Sequence, residues 1–306
     1  MQLRKNMLNV FITVDTEIWC NGWENLEHKF PDYFNKYVYG TTTKGDYALP
    51  ETLKVLNDYN LSAVFFVEPL FSAKFGLQPL QEIVGLIKDS NQEIQLHIHP
   101  EWTDEVGDKL LTNISTKCPS MSRFTMQQQS QLIAWGLQRL EDAGATGINA
   151  FRAGSYAANR NTLRAAAENG LIFDSSYNLA SELGVSDIKP KEKLTQPRYI
   201  DGIYEYPVSI IQNKSRKKRI LQITACSYQE FVNCLNKAYE LQWDSIVIVT
   251  HNFELLSPNK LQVDSFVHRR FIRLCQFLDR NRDRFNVRGF QSLTPVDIVN
   301  QPEIIK

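Results

Sequence analysis

Histidines and carboxylates follow several apolar runs of this sequence, and two pairs of them are spaced by one residue. Asp15 and Glu17 follow the apolar residues 8–14, and His97 and His99 end another such run. Every second side chain of a β-strand points to the same side, so each pair is expected to face one way. Two imidazoles and one carboxylate form a common three-ligand set for a catalytic metal. The sequence therefore predicts a metal site, in which one carboxylate binds the ion and the other takes a proton.

Glu101 and Arg152 add two charged groups to this prediction. Glu101 lies four residues after His97 and would compete for the same ion if the chain became helical in between. Arg152 ends a short apolar run, where it could pair with a carboxylate that must stay ionised and correctly aimed. Ordinary roles remain open: a turn-capping acid at Asp15, a solvated acid at Glu17 and a surface arginine at Arg152.

Two further polar residues close predicted strands in the second half of the chain. Asp174 follows the apolar residues 171–173, and His251 follows the buried-strand pattern of residues 246–250. A histidine at the end of so apolar a strand is well placed for proton transfer. The competing interpretations are a turn residue at Asp174 and a core histidine at His251.

The overall composition limits the classes of protein to consider. The 306 residues fit a single α/β barrel domain spanning residues 1–306, and 43% hydrophobic residues supply a sizeable core. A formal net charge of zero gives no long-range attraction to nucleic acid. The five cysteines include no C-x-x-C pair, so reduced and mostly buried thiols are expected. The first apolar run is too short for a signal peptide, and no stretch is long enough to span a membrane, so a cytoplasmic location is expected.

Apolar periodicity predicts alternating strands and helices along the chain, which implies parallel strands covered by helices. Residues 22–43 are predicted to form a long aromatic loop of the kind that often acts as a lid. The polar residues at the strand ends would then meet at one edge of the sheet. The predicted strands are residues 8–14, 61–67, 93–97, 149–152, 171–174, 203–208 and 245–249. The predicted helices begin near residue 50 and cover residues 79–89, 125–143, 161–169, 227–241 and 264–281.

Taken in order, four strings of the sequence resemble the polysaccharide deacetylases of carbohydrate esterase family 4, which have the NodB-homology fold. The strings are VDTE at residues 14–17, HIHPEW at 97–102, FRAGSY at 151–156 and VTHNFE at 249–254. The similarity runs from about residue 8 to about residue 256 and is strongest to the branch linked to lipopolysaccharide biosynthesis. It implies a distorted (β/α)7 barrel, which agrees with the seven predicted strands.

The first two motifs of that family depart from its usual pattern in this chain. The first motif usually has two adjacent aspartates, a base followed by a metal ligand. Here Asp15 matches the base, and Thr16 stands at the position of the ligand. Some relatives have an acid-x-acid spacing instead, which would make Glu17 the ligand. The second motif usually has two histidines that are four residues apart. Here His97 matches the first histidine, and Glu101 stands where the second would be. An imidazole suits zinc better than a second carboxylate does. The implied metal ligands are therefore Glu17, His97 and His99.

The implied reaction is hydrolysis of the amide of an N-acetylated amino sugar in a surface polysaccharide or its precursor. A divalent metal, with Zn²⁺ as the expected ion, would polarise the acetyl carbonyl and acidify a water. Asp15 would take the proton of that water and would be held in place by Arg152. His251 would protonate the departing amine, and Asp174 would orient His251.

Two other functions remain open. A related metal hydrolase acting on another C–N bond, such as that of an N-formyl sugar, would use the same residues. A catalytically inactive glycan-binding homologue is suggested by Thr16 and the altered second motif. The basic residues 214–219 fit either a solvated loop or a contact with an anionic, lipid-linked substrate at a membrane surface. Four aromatic residues beside the polar strings could stack on sugar rings or serve as ordinary packing: Trp19, Trp23, Trp102 and Tyr156.

Overall fold

Thirteen strands and eight α-helices are present in a computed structural model that describes residues 6–180, 186–212 and 217–305. In chain order the strands are β1 (Leu8–Thr16), β2 (Thr41–Thr42), β3 (Gly45–Asp46), β4 (Val64–Val67), β5 (Glu93–Ile98), β6 (Ala150–Ala153), β7 (Phe173–Asp174), β8 (Arg198–Ile200), β9 (Ile203–Glu205), β10 (Ile210–Gln212), β11 (Lys218–Ile220), β12 (Ser245–His251) and β13 (Phe285–Val287). The α-helices are α1 (Leu26–Phe34), α2 (Leu49–Asp58), α3 (Ser72–Phe75), α4 (Gln78–Asp89), α5 (Met126–Asp142), α6 (Arg160–Glu168), α7 (Tyr228–Glu240) and α8 (Ser265–Asp279).

Nine of these strands form one sheet, whose main path runs β12-β1-β4-β5-β6-β7-β9-β8. The seven strands from β12 to β9 are parallel to their neighbours, while β8 is antiparallel to β9 and β13 pairs with the first half of β1. These seven strands are the seven predicted ones, although β4, β7 and β9 are each shorter than predicted. The remaining strands form two hairpins, β2–β3 and β10–β11. The predicted parallel arrangement is therefore confirmed.

The sheet is strongly curved, because strands from its two ends share one small apolar cluster on the inner face. Phe11 of β1 stacks on Phe290 at 4.7 Å between ring centroids, and Phe173 of β7 packs against Phe290 at 5.3 Å. Val247 of β12 belongs to the same buried cluster. Between β9 and β12 the gap is bridged by an irregular segment, where the Ser209 N–H donates to the Val247 carbonyl at 3.1 Å. The result is a distorted barrel rather than an open sheet.

Helices cover the outer face of the sheet and bury the larger apolar core. The six predicted helices are all present, within two residues at each end. A capping box opens α7, where the Ser227 hydroxyl accepts from the Glu230 N–H and the Glu230 carboxylate accepts from the Ser227 N–H. All five cysteines are free thiols. In the described ranges no helix has both the length and the apolar character that crossing a bilayer requires. Short helical turns occupy Asn35–Tyr39 (π) and Pro100–Glu105, Gly107–Lys109, Met121–Arg123 and Gly154–Tyr156 (3₁₀).

The prediction of a long loop over residues 22–43 was wrong for most of its length. Helix α1 and the π-turn that follows it occupy residues 26–39. Leu26, Phe30 and Phe34 recur every fourth residue and are buried, which is the spacing of one helical face. Pro31 lies inside α1 and obscured this pattern in the sequence, because proline normally argues against a helix interior.

Candidate active site

The three predicted metal ligands meet in one buried cluster at the carboxyl end of the sheet. One ligand atom from each of Glu17, His97 and His99 lies within 4.8 Å of the other two. The Glu17 Oε2 atom is 2.7 Å from Nε2 of His99 and 3.6 Å from Nε2 of His97. His99 keeps an extended backbone after β5, so its ring points to the same side as that of His97. The three side chains therefore lie close together, as the sequence predicted.

Hydrogen bonds on the far side of each ring orient both histidines toward Glu17. The Nδ1 atom of His97 lies 2.8 Å from the Arg152 carbonyl oxygen, and Nδ1 of His99 lies 3.3 Å from the Glu101 carboxylate. A ring that donates its proton from Nδ1 is left with a lone pair on Nε2 when it is neutral. Two such lone pairs and one carboxylate match the donor set of a divalent metal. Glu101, which the sequence left as a competing ligand, instead lies behind the ring of His99.

Glu17 and His99 each stabilise the charged form of the other. Burial raises the pKa of Glu17, but the charge of His99 and the hydrogen bonds from both histidines outweigh it and hold that pKa well below its usual range. Burial lowers the pKa of His99, but Glu17 and Glu101 raise it well above its usual range. Trp19 donates from Nε1 to the Glu17 Oε1 atom at 2.8 Å, which leaves Oε2 for the histidines. The cluster therefore favours a cation at this position.

A second group joins Asp15 and Arg152, beside the cluster. The Arg152 Nη1 atom donates to the Asp15 carboxylate at 2.6 Å and to the Thr13 hydroxyl at 2.9 Å. Its Nε and Nη2 atoms donate to the carbonyl and the hydroxyl of Ser175, both at 3.0 Å. The guanidinium also lies 4.3 Å from the ring centroid of Phe66. With its donors engaged on three sides, this fully buried arginine neutralises Asp15 and fixes the direction of its carboxylate.

His251 lies directly opposite Asp15, because the two residues are partners in the parallel register of β1 and β12. Its Nδ1 atom is 2.8 Å from the Glu254 carboxylate, which also accepts from the Thr250 hydroxyl at 3.0 Å. Burial lowers the pKa of His251, but the hydrogen bond and charge of Glu254, with smaller effects of Glu17 and Asp15, raise it to about 9. A charged imidazole that is 23% exposed is suited to giving up a proton at the mouth of the site.

Asp174 does not take the predicted place beside His251. The alternation of β7 turns Phe173 to the inner face and Asp174 to the outer one, where Asp174 is in register with Glu205 of β9. Its carboxylate accepts from the Ser176 N–H and hydroxyl at 2.8 and 2.9 Å. In the described part of the chain, the partner of His251 Nδ1 is Glu254. The assignment of Asp174 as the orienting group is therefore corrected to Glu254.

The two carboxyl groups on the outer face are placed to share a proton. Burial raises the pKa of both Asp174 and Glu205, and the charge of Asp174 raises that of Glu205 well above its usual range. Glu205 Oε1 accepts from the Tyr177 N–H at 3.0 Å, whereas Oε2 is buried and finds no hydrogen-bond donor among the described residues. A proton on Oε2, donated to Asp174, satisfies both groups.

Two features of the site escaped the sequence analysis. Glu68 is buried at the end of β4, accepts from the Leu70 N–H at 2.8 Å, and has a pKa that burial raises to about 8 against the opposing charge of His99. An acid directly after an apolar run was the signal, and it was the same signal that identified Asp15. Gly154 touches the ring of His99 so closely that a Cβ atom would lie 2.5 Å from its Nδ1.

The turn after Gly154 holds Ser155 and Tyr156 at φ values of 53° and 58°. Two consecutive residues other than glycine in this left-handed region are uncommon and tend to occur at functional sites. Burial raises the pKa of Tyr156, and the charge of Asp15 raises it further, so its phenol stays protonated beside that carboxylate. The strained turn places a hydrogen-bond donor within the site.

Comparisons with known proteins agree with the architecture. No family model matches the sequence, and no curated protein matches it. A Mycobacterium smegmatis protein described as a candidate polysaccharide deacetylase superposes over 99% of this chain and 97% of its own, with a TM-score of 0.60 and 16% identity. A 4-α-glucanotransferase from Thermococcus litoralis superposes over 97% of this chain and 42% of its own, with a TM-score of 0.57 and 12% identity. These two likenesses show the fold, and the predicted distorted (β/α)7 barrel is confirmed.

Proposed function

We propose that this protein is a metal-dependent hydrolase that removes the N-acetyl group from an amino sugar of a glycan. The observation that carries the proposal is the meeting of three groups at one end of the barrel: the cluster of Glu17, His97 and His99, the Asp15–Arg152 pair, and the His251–Glu254 pair. A metal site flanked by a fixed carboxylate and a charged histidine is the arrangement that amide hydrolysis needs. The likeness in fold to a candidate polysaccharide deacetylase favours a sugar amide as substrate.

Zn²⁺ is the metal that we propose for the cluster. Its ligand preferences include imidazole nitrogen and carboxylate oxygen, and a catalytic site has three protein ligands with one position left open. When bound there, the ion would polarise the acyl carbonyl and acidify a water. Thr16 does not disturb the donor set, because its hydroxyl lies 3.4 Å from the Val14 carbonyl oxygen while Glu17 supplies the carboxylate.

The proton transfers fall to the side chains on β1 and β12. Asp15, held by Arg152, accepts a proton from the attacking water. His251, charged through its contact with Glu254, gives the proton on its Nε2 to the departing amine. Because Asp15 and His251 are neighbours across the strand pair, the base and the acid flank one reacting carbon.

The finer expectations stay predictions: the link to lipopolysaccharide biosynthesis, the cytoplasmic location and the contact with a lipid-linked substrate. The basic residues that suggested the last of these are 214–219, of which 214–216 lie outside the described residues.

The first test is elemental analysis together with release of acetate from N-acetylated oligosaccharides. We expect one equivalent of a divalent metal, and we expect both the metal and the acetate release to be lost in His97→Ala. His28→Ala is the matched control, because His28 is exposed and does not belong to the cluster. A purified protein without stoichiometric metal would contradict the proposal. Release of formate in place of acetate would identify the related C–N hydrolase, and metal binding without release of either would identify the inactive homologue.

A further inference from the structure

A cavity of about 270 Å³ lies next to the candidate metal site, and no step of the proposed reaction uses it. Three of the five tryptophans of the chain line it. Its principal lining residues are Trp19, Trp23, Trp102, Tyr37, Leu26 and Asn21. We call it the aromatic pocket. A larger cavity, of about 1110 Å³, lies between α7 and residues 301–305 and contains none of the site residues.

The aromatic pocket and the metal cluster share the side chain of Trp19. The indole Nε1 donates to Glu17, and the edge of the ring packs on His99 at 4.8 Å between centroids. Tyr37 is tied to the same place through its backbone, because its carbonyl accepts from Asn252, whose Oδ1 in turn accepts from the Glu17 N–H. A group in the pocket would therefore lie one side chain away from a metal held by Glu17.

The rings of the pocket are held rigidly before any ligand arrives. Trp23 packs edge to face against Trp102 at 4.8 Å and against Trp19 at 6.1 Å. The Lys117 ammonium lies 3.5 Å from the centroid of the Trp23 ring, and Lys117 is itself held by Asp104 at 2.6 Å. Because these rings are fixed by their neighbours, a ligand that stacks on them loses little entropy to ordering the pocket.

The chemistry of the lining suits a sugar ring better than an acyl chain. A pyranose has an apolar C–H face, which packs on aromatic rings, and hydroxyl groups at its edge, which need polar partners when buried. Asn21 and Tyr37 supply such partners. Burial and the charge of Glu17 raise the pKa of Tyr37 to about 12, so its hydroxyl keeps its proton and can donate at neutral pH. An acyl chain would leave these polar groups without partners.

We propose that the aromatic pocket is a subsite for a pyranose ring of the glycan, adjacent to the sugar that loses its acetyl group. This inference rests on the proposed function, because it takes the metal cluster as the reacting centre. The substrate is then an oligosaccharide rather than a free monosaccharide. An N-acetylated chain should bind more tightly than one N-acetylated sugar, because only the chain reaches both the pocket and the metal.

The test compares N-acetylchitotetraose with N-acetylglucosamine as probes of the metal-loaded protein. We expect the tetraose to change the tryptophan emission and to bind at least about 10-fold more tightly than the monosaccharide. Trp23→Ala should raise both Kd and KM for the tetraose by about 10-fold or more, with a much smaller change in kcat. Trp23→Phe, which keeps a ring, should recover most of this loss. Trp135→Ala is the matched control, because Trp135 lies on α5 and outside the pocket.

Tyr37→Phe keeps the ring and the fold while it removes only the hydroxyl, so it remains informative if Trp23→Ala fails to fold. It should weaken binding of the tetraose and leave binding of metal unchanged. Equal affinity for the two probes, normal KM in both variants, or no binding of the tetraose would each overturn the proposal. So would a preference for N-butyryl over N-acetyl substrates that is lost in Trp23→Ala, since the pocket would then hold the acyl group.

The outcomes separate this inference from the proposed function. Acetate release with a normal KM in Trp23→Ala would contradict the proposed subsite and leave the proposed hydrolase function unaffected. Binding of the tetraose that depends on Trp23, without any acetate release, would support the subsite and contradict the hydrolase function.

Discussion

The inner and outer faces of the same sheet both bury carboxylates, but they neutralise the charge in different ways. On the inner face Asp15 contacts Arg152, and Glu17 contacts two histidines, so each of these acids faces a cationic or proton-donating group. On the outer face Asp174 faces Glu205, and burial together with the charge of Asp174 raises the pKa of Glu205 well above its usual range, which favours its protonated form. All four side chains are buried. A buried acid that faces a cationic group is thus suited to chemistry, whereas two buried acids that face each other have a structural role.

Among changes that leave the metal in place, the largest effect should come from the proposed proton donor, His251. His251→Ala removes the group that we propose to protonate the amine, and kcat should fall by about 10² to 10⁴. The bound metal should stay, because His251 is not part of the Glu17 cluster. Steady-state kinetics and elemental analysis of the same preparation measure both effects. A variant with near-normal kcat would remove His251 from the mechanism.

The next effect concerns the fit between Gly154 and His99. Gly154→Ala would place a Cβ atom 2.5–2.7 Å from three atoms of the imidazole, so the ring must leave its present position relative to Glu17. We expect metal affinity to fall by about 10- to 100-fold, which is the loss that follows when the groups that orient a metal ligand are changed. Competition with a chelator measures the affinity. Gly85→Ala in α4 is the matched control, because a Cβ there meets nothing within 4 Å, and this variant should bind metal normally.

Glu254→Gln tests the corrected partner of His251. Losing the carboxylate removes the charge that raises the pKa of His251, so that pKa must fall. The alkaline limb of the pH–rate profile, set by loss of the imidazolium proton, should move to lower pH, and kcat at pH 8 should fall by about 10-fold. Asp174→Asn provides the contrast, and its alkaline limb should stay in place. A shift in Asp174→Asn with none in Glu254→Gln would restore the original assignment.

The smallest effect is expected on the outer face. Glu205→Gln replaces a protonated acid with an amide of the same shape, which can donate to Asp174, so activity should change less than about twofold and stability at neutral pH by less than about 1 kcal/mol. The same change on the inner face, Glu17→Gln, should abolish metal binding.

The pH dependence of stability sharpens this contrast. A carboxyl group whose pKa is raised on folding stabilises the fold at low pH and loses that contribution as pH rises through the folded-state value. The free energy of unfolding of the wild type should therefore decline with pH more steeply than that of Glu205→Gln. Denaturant titrations at a series of pH values measure both slopes. Equal slopes would contradict the shared proton.

Much of the site could be predicted because strand periodicity is simple. Asp15 and Glu17, like His97 and His99, are two apart, so one alternation rule placed each pair on one face. The same rule failed at Asp174, where β7 is only two residues long and the sequence did not show which face the final residue takes. Strand alternation could not identify Glu254 either, because a turn after β12 brings this residue back to His251.

The helix α1 and the aromatic pocket illustrate a second limit. The glycine and asparagine residues of this segment suggested a loop, whereas burial of Phe30 against Phe75, with ring centroids 3.7 Å apart, stabilises a helix there. Local propensity is a weak guide where tertiary packing decides. The tryptophans beside the metal were visible in the sequence, but the cavity that they enclose depends on how residues 19–37 fold back.

The pairing of β1 with β12 has a consequence for how the protein matures. The Glu17 N–H bonds to an Asn252 side chain that lies 235 residues further along the chain, and Asp15 is aligned with His251 by the same pairing. A nascent chain that ends before β12 carries every expected metal ligand yet lacks His251. Such distant pairing makes folding slow, so the proposed activity should arrive late, after nearly the whole polypeptide has left the ribosome.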